Sequence, residues 1–257
     1  HSASFCALLS REVRRYNALV TTVHYTLDSL LEALGNTELT AELQSIRDSL
    51  VRGEVPHAWT AVSYPGSRVL DTWVQGLSER LAFVSEWVEN GADSTSAIWL
   101  GGLYCPESLC PALIREYAAA HELPPDAPGL HVHCRLDLTS DELHAAATKA
   151  GAVAVRGIHI QGARWDATKH ALADPEGLQL NSELPVVLLE VRDAPAAEYA
   201  AQLYDCPLYT RISTPGQLGD RHRAELPAIM TIPIPSAVAR CKWTLSGVVA
   251  ALHLEQG

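Results

Sequence analysis

Two histidines at alternate positions are the residues of this chain best placed to bind a metal. His131 and His133 lie in a run that predicts a β-strand, and alternate strand residues point to one side, so their imidazoles could share a Zn²⁺ ion. Asp166 could supply a carboxylate ligand. Cys134 points to the opposite side, and no second ligand pair has a spacing typical of zinc sites. We therefore predict no metal site and keep a zinc-dependent cytosolic enzyme as the alternative.

A second candidate site is the sequence Arg164-Trp165-Asp166, in which opposite charges flank an indole. The two charged residues could act as a catalytic pair. The sequence favours a structural ion pair with the guanidinium stacked on the indole. Cys105 and Cys110 stand beside prolines, which indicates the start of a helix rather than a metal site.

The common enzyme motifs are missing from the sequence. It contains no phosphate-binding Gly-x-x-x-x-Gly-Lys-Ser/Thr loop, no Gly-x-Ser-x-Gly, no His-Glu-x-x-His and no Gly-x-Gly-x-x-Gly after a strand. Its three lysines, Lys149, Lys169 and Lys242, each follow a Thr or a Cys. We predict neither catalytic residues nor a cofactor site in this chain.

The charge of the molecule argues against polyanionic partners. Its 257 residues carry a net charge of −11, which repels DNA, RNA and the acidic surface of a microtubule. The densest basic group, Arg11, Arg14 and Arg15, is predicted to be a solvated helix face. No run of eighteen apolar residues occurs, so we expect no membrane span. Because the sequence does not begin with Met, we expect it to belong to a longer polypeptide.

Residues 1–125 are predicted to form an antiparallel helical subdomain. Gly35 is expected to end the first helix, and Thr37 to cap the second. Trp73 and Trp87 are fourteen residues apart and share one helix face, where core packing is favoured over ligand stacking. The apolar stripe of the first helix could instead be a partner seam, which makes a helical protein-interaction module a further alternative. Apolar spacings of three and four predict helices over about 9–34, 39–50, 67–90 and 107–123.

Residues 126–257 are predicted to form a small incomplete β-barrel of about six strands, which makes the fold class α+β. A short helix is expected over about 141–150. The alternation of apolar residues changes phase at Arg156-Gly157, which predicts a β-bulge. The predicted strands lie in the runs 131–136, 153–160, 185–191, 203–210, 229–234 and 242–254.

Several longer motifs follow one another along the sequence. The first is Leu-x-x-Glu-x-x-Arg-Tyr-Asn, ending at Asn17, the second runs from Val55 to Trp73 as Val-Pro-x-x-Trp, Tyr-Pro and Leu-x-x-Trp, and the third is Trp-x-x-Gly-Leu-x-x-Pro, ending at Pro106. The last two are the segment Gly157–Asp166, which ends in Ala-Arg-Trp-Asp, and Cys-Pro-Leu-Tyr, which ends at Tyr209. In this order they resemble the C-terminal region of dynein heavy chains from end to end, and the Ala-Arg-Trp-Asp ending of one motif is similar to the axonemal members. The residues that carry the other motifs are Pro56, Trp59, Tyr64, Pro65, Trp73, Gly157, Gly162, Arg164, Trp165, Asp166, Cys206, Pro207 and Tyr209.

The resemblance implies a non-catalytic regulatory and structural domain. Such a domain lies on the AAA+ ring of its own heavy chain and modulates an ATP-driven, minus-end-directed microtubule motor in cilia and flagella. ATP and Mg²⁺ would then belong to the parent motor, with no cofactor in this segment. We expect a cytoplasmic, cytoskeletal location in the axoneme. We expect the isolated segment to be a monomer that binds no nucleic acid, membrane or microtubule directly.

Overall fold

Helices fill the first half of the molecule and strands fill most of the second, which confirms the α+β class. The computed structural model describes residues 3–35, 39–90, 97–124, 131–136, 138, 142, 152–177, 181–192, 202–210 and 228–252. Its strands form two mixed sheets that do not close into a barrel. Of the helix predicted over 141–150 only Glu142 is described, and it is helical.

The four helices predicted in residues 1–125 are confirmed, with different ends, and the first of them already begins at Ala3. The N-cap of the second helix is Thr40, whose Oγ1 accepts a hydrogen bond from the Leu43 N–H at 3.3 Å. The predicted cap, Thr37, is therefore wrong, because the helix begins further along the sequence. The α-helices are α1 (Ala3–Gly35), α2 (Ala41–Val51), α3 (His57–Thr60), α4 (Leu70–Asn90), α5 (Leu109–Ala120) and α6 (Arg240–Leu245).

The buried face of α4 differs from the apolar stripe in its sequence. Val74 and Val88, which belong to that stripe, are about half exposed. Trp73 and Trp87 are buried as expected, and the residue midway between them on the same face, Arg80, is 1 % exposed. The helix is therefore rotated so that an arginine takes a core position.

The described strands number eleven, compared with about six expected from the sequence. One sheet has the order β1-β3-β8-β2, and the other has the order β5-β6-β10-β9-β11-β4-β7. The predicted runs found the long strands and missed short ones such as β5 and β7, because three residues are too few to show alternation. The strands are β1 (Ile98–Trp99), β2 (His131–Arg135), β3 (Ala152–Arg156), β4 (Ile158–Gln161), β5 (Arg164–Asp166), β6 (Ala171–Ala173), β7 (Asn181–Glu183), β8 (Val187–Arg192), β9 (Gln202–Tyr209), β10 (Met230–Ser236) and β11 (Val249–Leu252).

The predicted β-bulge at Arg156-Gly157 is wrong, although the phase change is real. Strand β3 pairs with β8 in the four-stranded sheet, whereas β4 pairs with β11 and β7 in the other sheet. The backbone crosses between the sheets at Gly157, whose φ of +80° is a conformation that favours glycine. The alternation shifts because the polypeptide enters a second sheet.

The run 242–254 is not a continuous strand. Its first residues complete α6, and only Val249–Leu252 pair as β11. Trp243 explains the helix, because its indole is 1 % exposed and its Nε1 donates to Ser236 Oγ at 2.7 Å. The indole thereby anchors α6 to β10.

One hydrophobic core joins the helices and the strands. It includes Leu19 of α1 and Leu113 of α5 together with Leu189 of β8, Cys206 of β9 and Ile232 of β10. Helix α5 contacts both α1 and the sheet strand β8, so it links the two halves. Among the helices of the described ranges, none is long and apolar enough to cross a membrane.

Candidate functional site

A buried carboxylate fastens α1 to the loop that precedes α5. Glu12 is 0 % exposed, and its Oε2 and Oε1 accept hydrogen bonds from the backbone N–H groups of Tyr104 at 2.6 Å and Cys105 at 3.2 Å. A backbone loop buried without such acceptors would lose the free energy of two hydrogen bonds. Glu12 therefore fixes the position of this loop on the helix.

A buried guanidinium lies on the other side of the same loop. Arg80 of α4 donates from Nη1 to the Gly76 carbonyl and from Nη2 to the Gly101 carbonyl, both at 3.1 Å. Its Cζ lies 3.9 Å from the ring centroid of Tyr64 and 4.8 Å from that of Trp99. Two aromatic faces thus stabilise a cation that has left water.

Tyr16 and Gly102 bring α1 and this loop into close contact. The Tyr16 hydroxyl donates to the Gly102 carbonyl at 2.6 Å, and the ring packs edge-on to Tyr104 with centroids 4.6 Å apart. A Cβ atom at Gly102 would lie 2.5 Å from the Trp99 ring and 2.9 Å from Phe83. Only glycine fits at this position, because any side chain would push the loop away from both rings.

The tryptophans of the second motif extend this cluster. The rings of Trp59 and Trp73 stack with centroids 5.5 Å apart, and Tyr64 stacks on Trp73 at 6.2 Å. Trp59 Nε1 donates to Thr26 Oγ1 of α1 at 2.8 Å, and Trp73 Nε1 donates to Ser63 Oγ at 3.1 Å. Indoles buried with a satisfied N–H are typical of packing sites.

The structure brings some predicted motif residues together and separates others. Trp59, Tyr64 and Trp73 belong to one cluster, and Pro56 is buried just before α3. Pro65 is exposed and makes no contribution to the core. We call the set Glu12, Tyr16, Tyr64, Arg80, Trp99, Gly102 and Tyr104 the clamp cluster.

Burial dominates the acid–base properties of the clamp cluster. Burial raises the pKa of Glu12 above its ordinary value, against the opposing effect of the two backbone N–H groups. Burial also lowers the pKa of Arg80 and raises the pKa of Tyr64 to about 12. Glu12 accepts from backbone N–H groups, and Arg80 donates to backbone carbonyls and packs on Tyr64, so the arrangement suits structural support better than proton transfer to a substrate.

The motif at Gly157–Asp166 lies in the other half of the molecule. Gly162 has φ +81°, and a Cβ atom there would lie 3.5 Å from Val248 Cγ2, so the backbone conformation rather than space requires glycine. Trp165 is half-buried and packs on the core. The predicted Arg164–Asp166 ion pair is wrong, because Arg164 Nη2 pairs with Glu176 Oε1 at 2.8 Å.

Asp166 caps the turn that follows β5. Its Oδ1 accepts from the backbone N–H groups of Thr168 at 3.0 Å and Lys169 at 3.2 Å. Burial by itself raises the pKa of Asp166, but these N–H groups and the Lys169 charge outweigh it, and the pKa lies below its ordinary value. The side chain is a turn-forming acceptor in a short antiparallel pair of strands.

The Cys206-Pro207-Leu208-Tyr209 motif lies along the centre of the larger sheet. Strand β9 pairs with β10 on one side and with β11 on the other. Cys206 is 0 % exposed, and burial raises the pKa of its thiol to about 12. Pro207 and Tyr209 are half-buried on the alternate positions. Cys206 is a core residue rather than a nucleophile, because a nucleophilic cysteine needs a lowered pKa and access.

The zinc alternative is not tested by the structure. The backbone of His131 and His133 forms β2 as predicted, but their side chains and that of Cys134 lie outside the described residues. Within the described ranges, no three His, Cys, Asp or Glu side chains come close enough to hold a metal ion.

The Cys110 thiol lies 3.8 Å from the Met230 sulfur, and burial raises the pKa of this thiol to about 11.

Sequence reasoning missed the two buried charges of the clamp cluster. Arg80 stands seven residues after Trp73 and seven before Trp87, so it shares their face of α4. That spacing was a usable signal for a buried arginine among aromatic rings. Glu12 belongs to the first motif, but nothing in the sequence signalled its burial, because its partners are backbone N–H groups more than ninety residues away.

Comparison with known proteins extends over nearly the whole sequence. The family model described as the C-terminal domain of the dynein heavy chain matches residues 1–252. The sequence is 26% identical over 257 residues to dynein axonemal heavy chain 3 of Mus musculus and 26% identical over 260 residues to dynein axonemal heavy chain 1 of Homo sapiens, and each alignment includes 99% of this chain. It is also 25% identical over 245 residues to the ciliary dynein beta chain of Heliocidaris crassispina, an alignment that includes 95% of this chain. The chain spans only 5% to 6% of the length of these relatives.

Proposed function

This protein belongs to the family of C-terminal domains of dynein heavy chains, and from that premise we propose that it is a non-catalytic domain that packs on the AAA+ ring of its own heavy chain. In this role it modulates an ATP-driven motor that moves toward the minus end of microtubules. The relatives named above are axonemal and ciliary heavy chains, which supports a place in the axoneme of a cilium or flagellum.

The clamp cluster is the observation that carries the non-catalytic part of the proposal. The buried charges hold one loop between two helices, because Glu12 accepts from two backbone N–H groups of the loop and Arg80 donates to carbonyls of the loop and of α4. A catalytic site directs such groups toward a substrate instead. These contacts hold the loop and the two helices in one arrangement, which suits a domain that transmits force or restrains a neighbour.

The sequence supports the proposal that nucleotide and microtubule bind to other parts of a longer polypeptide. It lacks the Gly-Lys-Ser/Thr loop that would cradle nucleotide phosphates, and its net charge of −11 opposes direct binding to an acidic filament. ATP with Mg²⁺ and the microtubule would therefore be bound by other parts of the heavy chain.

Removal of this domain from an otherwise intact heavy-chain motor tests the proposal. The shortened motor should still hydrolyse ATP and move on microtubules, with altered velocity, stall force or run length. A motor with all of these properties unchanged would contradict the regulatory role. A heavy chain with Pro65→Ala is a suitable control, because Pro65 is exposed and the substitution keeps the domain in place.

A further inference from the structure

One face of α1 combines exposed arginines with an exposed tyrosine. Arg11, Arg14, Ala18, Thr21 and Tyr25 follow one another at steps of three and four residues, so they line one side of the helix over about 21 Å. All five are exposed, and Tyr25 is 72 % exposed. We call these five residues the arginine–tyrosine face.

Within the described part of the molecule the charges of this face are only partly balanced, because the Arg11 charge acts on the buried Glu12 carboxylate without an ion pair. Arg11 and Arg14 form no ion pair with a described carboxylate, and at a spacing of three residues on one helix they repel each other. The neighbouring Arg15 packs its guanidinium 5.9 Å from the Tyr104 ring centroid, so it belongs to the clamp cluster's surroundings. Most other exposed or half-exposed basic residues do pair with a carboxylate, namely Arg47, Arg52, Arg164, Lys169, Arg192, Arg240 and Lys242.

The composition of the face is that of a protein-binding surface. Arginine and tyrosine are, with tryptophan, the residues enriched among those that carry binding energy at interfaces. Beyond Tyr25 the exposed residues Asp28 and Glu32 reverse the charge, so the basic surface ends at Tyr25. A complementary partner therefore presents carboxylates opposite Arg11 and Arg14 and an apolar contact opposite Tyr25.

We propose that the arginine–tyrosine face docks on an acidic segment of the same heavy chain outside residues 1–257. This inference rests on the proposed function. The sequence spans about 6% of the relatives it matches, so a covalently attached partner surface is present at high effective concentration. Under that condition two charge contacts and one aromatic contact suffice, whereas a free partner would need a larger interface.

Photo-crosslinking in the intact heavy chain tests the assignment. A benzoyl-phenylalanine in place of Tyr25 should crosslink to an Asp- and Glu-rich segment of the same heavy chain. The double substitution Arg11→Gln/Arg14→Gln should lower that yield about tenfold, since each surface charge contact contributes roughly a factor of three. Arg11→Lys/Arg14→Lys should retain most of it, and added salt should reduce the yield because it screens the contact.

Benzoyl-phenylalanine in place of Val51 is the matched control, because Val51 is 81 % exposed on α2 and lies off this face. Crosslinks from other exposed positions to the rest of the heavy chain, with none from Tyr25, would overturn this assignment and leave the proposed function standing. No crosslink from any position to the rest of the heavy chain would overturn both. A crosslink from Tyr25 to tubulin, or one insensitive to the arginine substitutions, would also overturn the assignment.

Discussion

The two halves of the molecule each use a carboxylate to hold a loop, and the two carboxylates differ in acid–base behaviour. Glu12 in the helical half accepts two backbone N–H groups, and so does Asp166 in the strand half. The pKa of Glu12 is raised and the pKa of Asp166 is lowered. Glu12 is 0 % exposed, whereas Asp166 lies at a turn with its side chain 12 % exposed. Two N–H groups are therefore not enough to offset the desolvation of Glu12, whereas at Asp166 they and the nearby positive charges are.

The same contrast extends to the cores of the two halves. The helical half buries Arg80 and Glu12 among aromatic rings, while the larger sheet buries side chains such as Ile232, Ile234 and Leu208 at 0 % exposure. Buried charge sets one geometry, because each charged group tolerates few arrangements of its partners. Apolar packing in the sheet mainly supplies stability.

The largest effect is expected from Arg80→Ala in the clamp cluster. The substitution removes the side-chain donor to the Gly101 carbonyl and leaves a cavity between Tyr64 and Trp99, so the free energy of unfolding should fall by about 4 kcal/mol. Urea denaturation measures it. The control Arg68→Ala, at an exposed position, should change the free energy by less than about 0.5 kcal/mol. Equal effects of the two substitutions would remove the contrast between buried and exposed arginine.

Ile232→Ala in the larger sheet should lower the free energy of unfolding by about 3 kcal/mol, because it removes a wholly buried side chain from β10. Ile232→Val, which removes a single methylene, should cost about 1 kcal/mol. Thermal melts of both variants check the graded loss expected of apolar packing. A larger loss for Ile232→Val than for Ile232→Ala would show that packing volume is not the controlling quantity.

Trp165→Ala should cost about 1.5 kcal/mol. A wholly buried tryptophan would cost roughly 3 to 5 kcal/mol, but Trp165 is half-buried, so only part of the indole area leaves the core. Trp243→Ala is the matched comparison, since that indole is 1 % exposed, and it should cost more. Calorimetric melting temperatures that rank the two variants the other way would contradict the burial assignment.

The smallest effects are those of pH, and they have opposite signs in the two halves. The pKa of Glu12 is higher in the folded state than its ordinary value of 4.5. Stability therefore falls as the pH rises from about 4.5 through the pKa that Glu12 has in the folded state. Because the pKa of Asp166 is lower in the folded state, stability falls as the pH drops below its ordinary value of 3.8. Glu12→Gln and Asp166→Asn should each remove one of these slopes from the stability profile. Slopes of the same sign would show that burial does not separate the two carboxylates.

The sequence predicted what depends on local periodicity. Helices α1 and α4 follow apolar spacings of three and four. The crossing at Gly157 was visible as a phase change, but a bulge and a change of sheet give the same local pattern. Only the pairing of distant strands distinguishes them.

The candidate site was predictable only in part for the same reason. The aromatic residues Trp59, Tyr64 and Trp73 were singled out by their motifs, and the structure places them side by side. The acceptor role of Glu12 depends on a loop far along the sequence, and no sequence pattern records which backbone N–H groups are left unpaired.

The rate of ATP hydrolysis by the purified 257-residue protein tests most directly the claim that its buried charges support structure rather than catalysis. With Mg²⁺ present, the protein should show no turnover above buffer, and Glu12→Gln should behave identically. Turnover by the unaltered protein that is abolished in a folded Glu12→Gln variant would contradict the account, because the clamp cluster would then contain a working catalytic group.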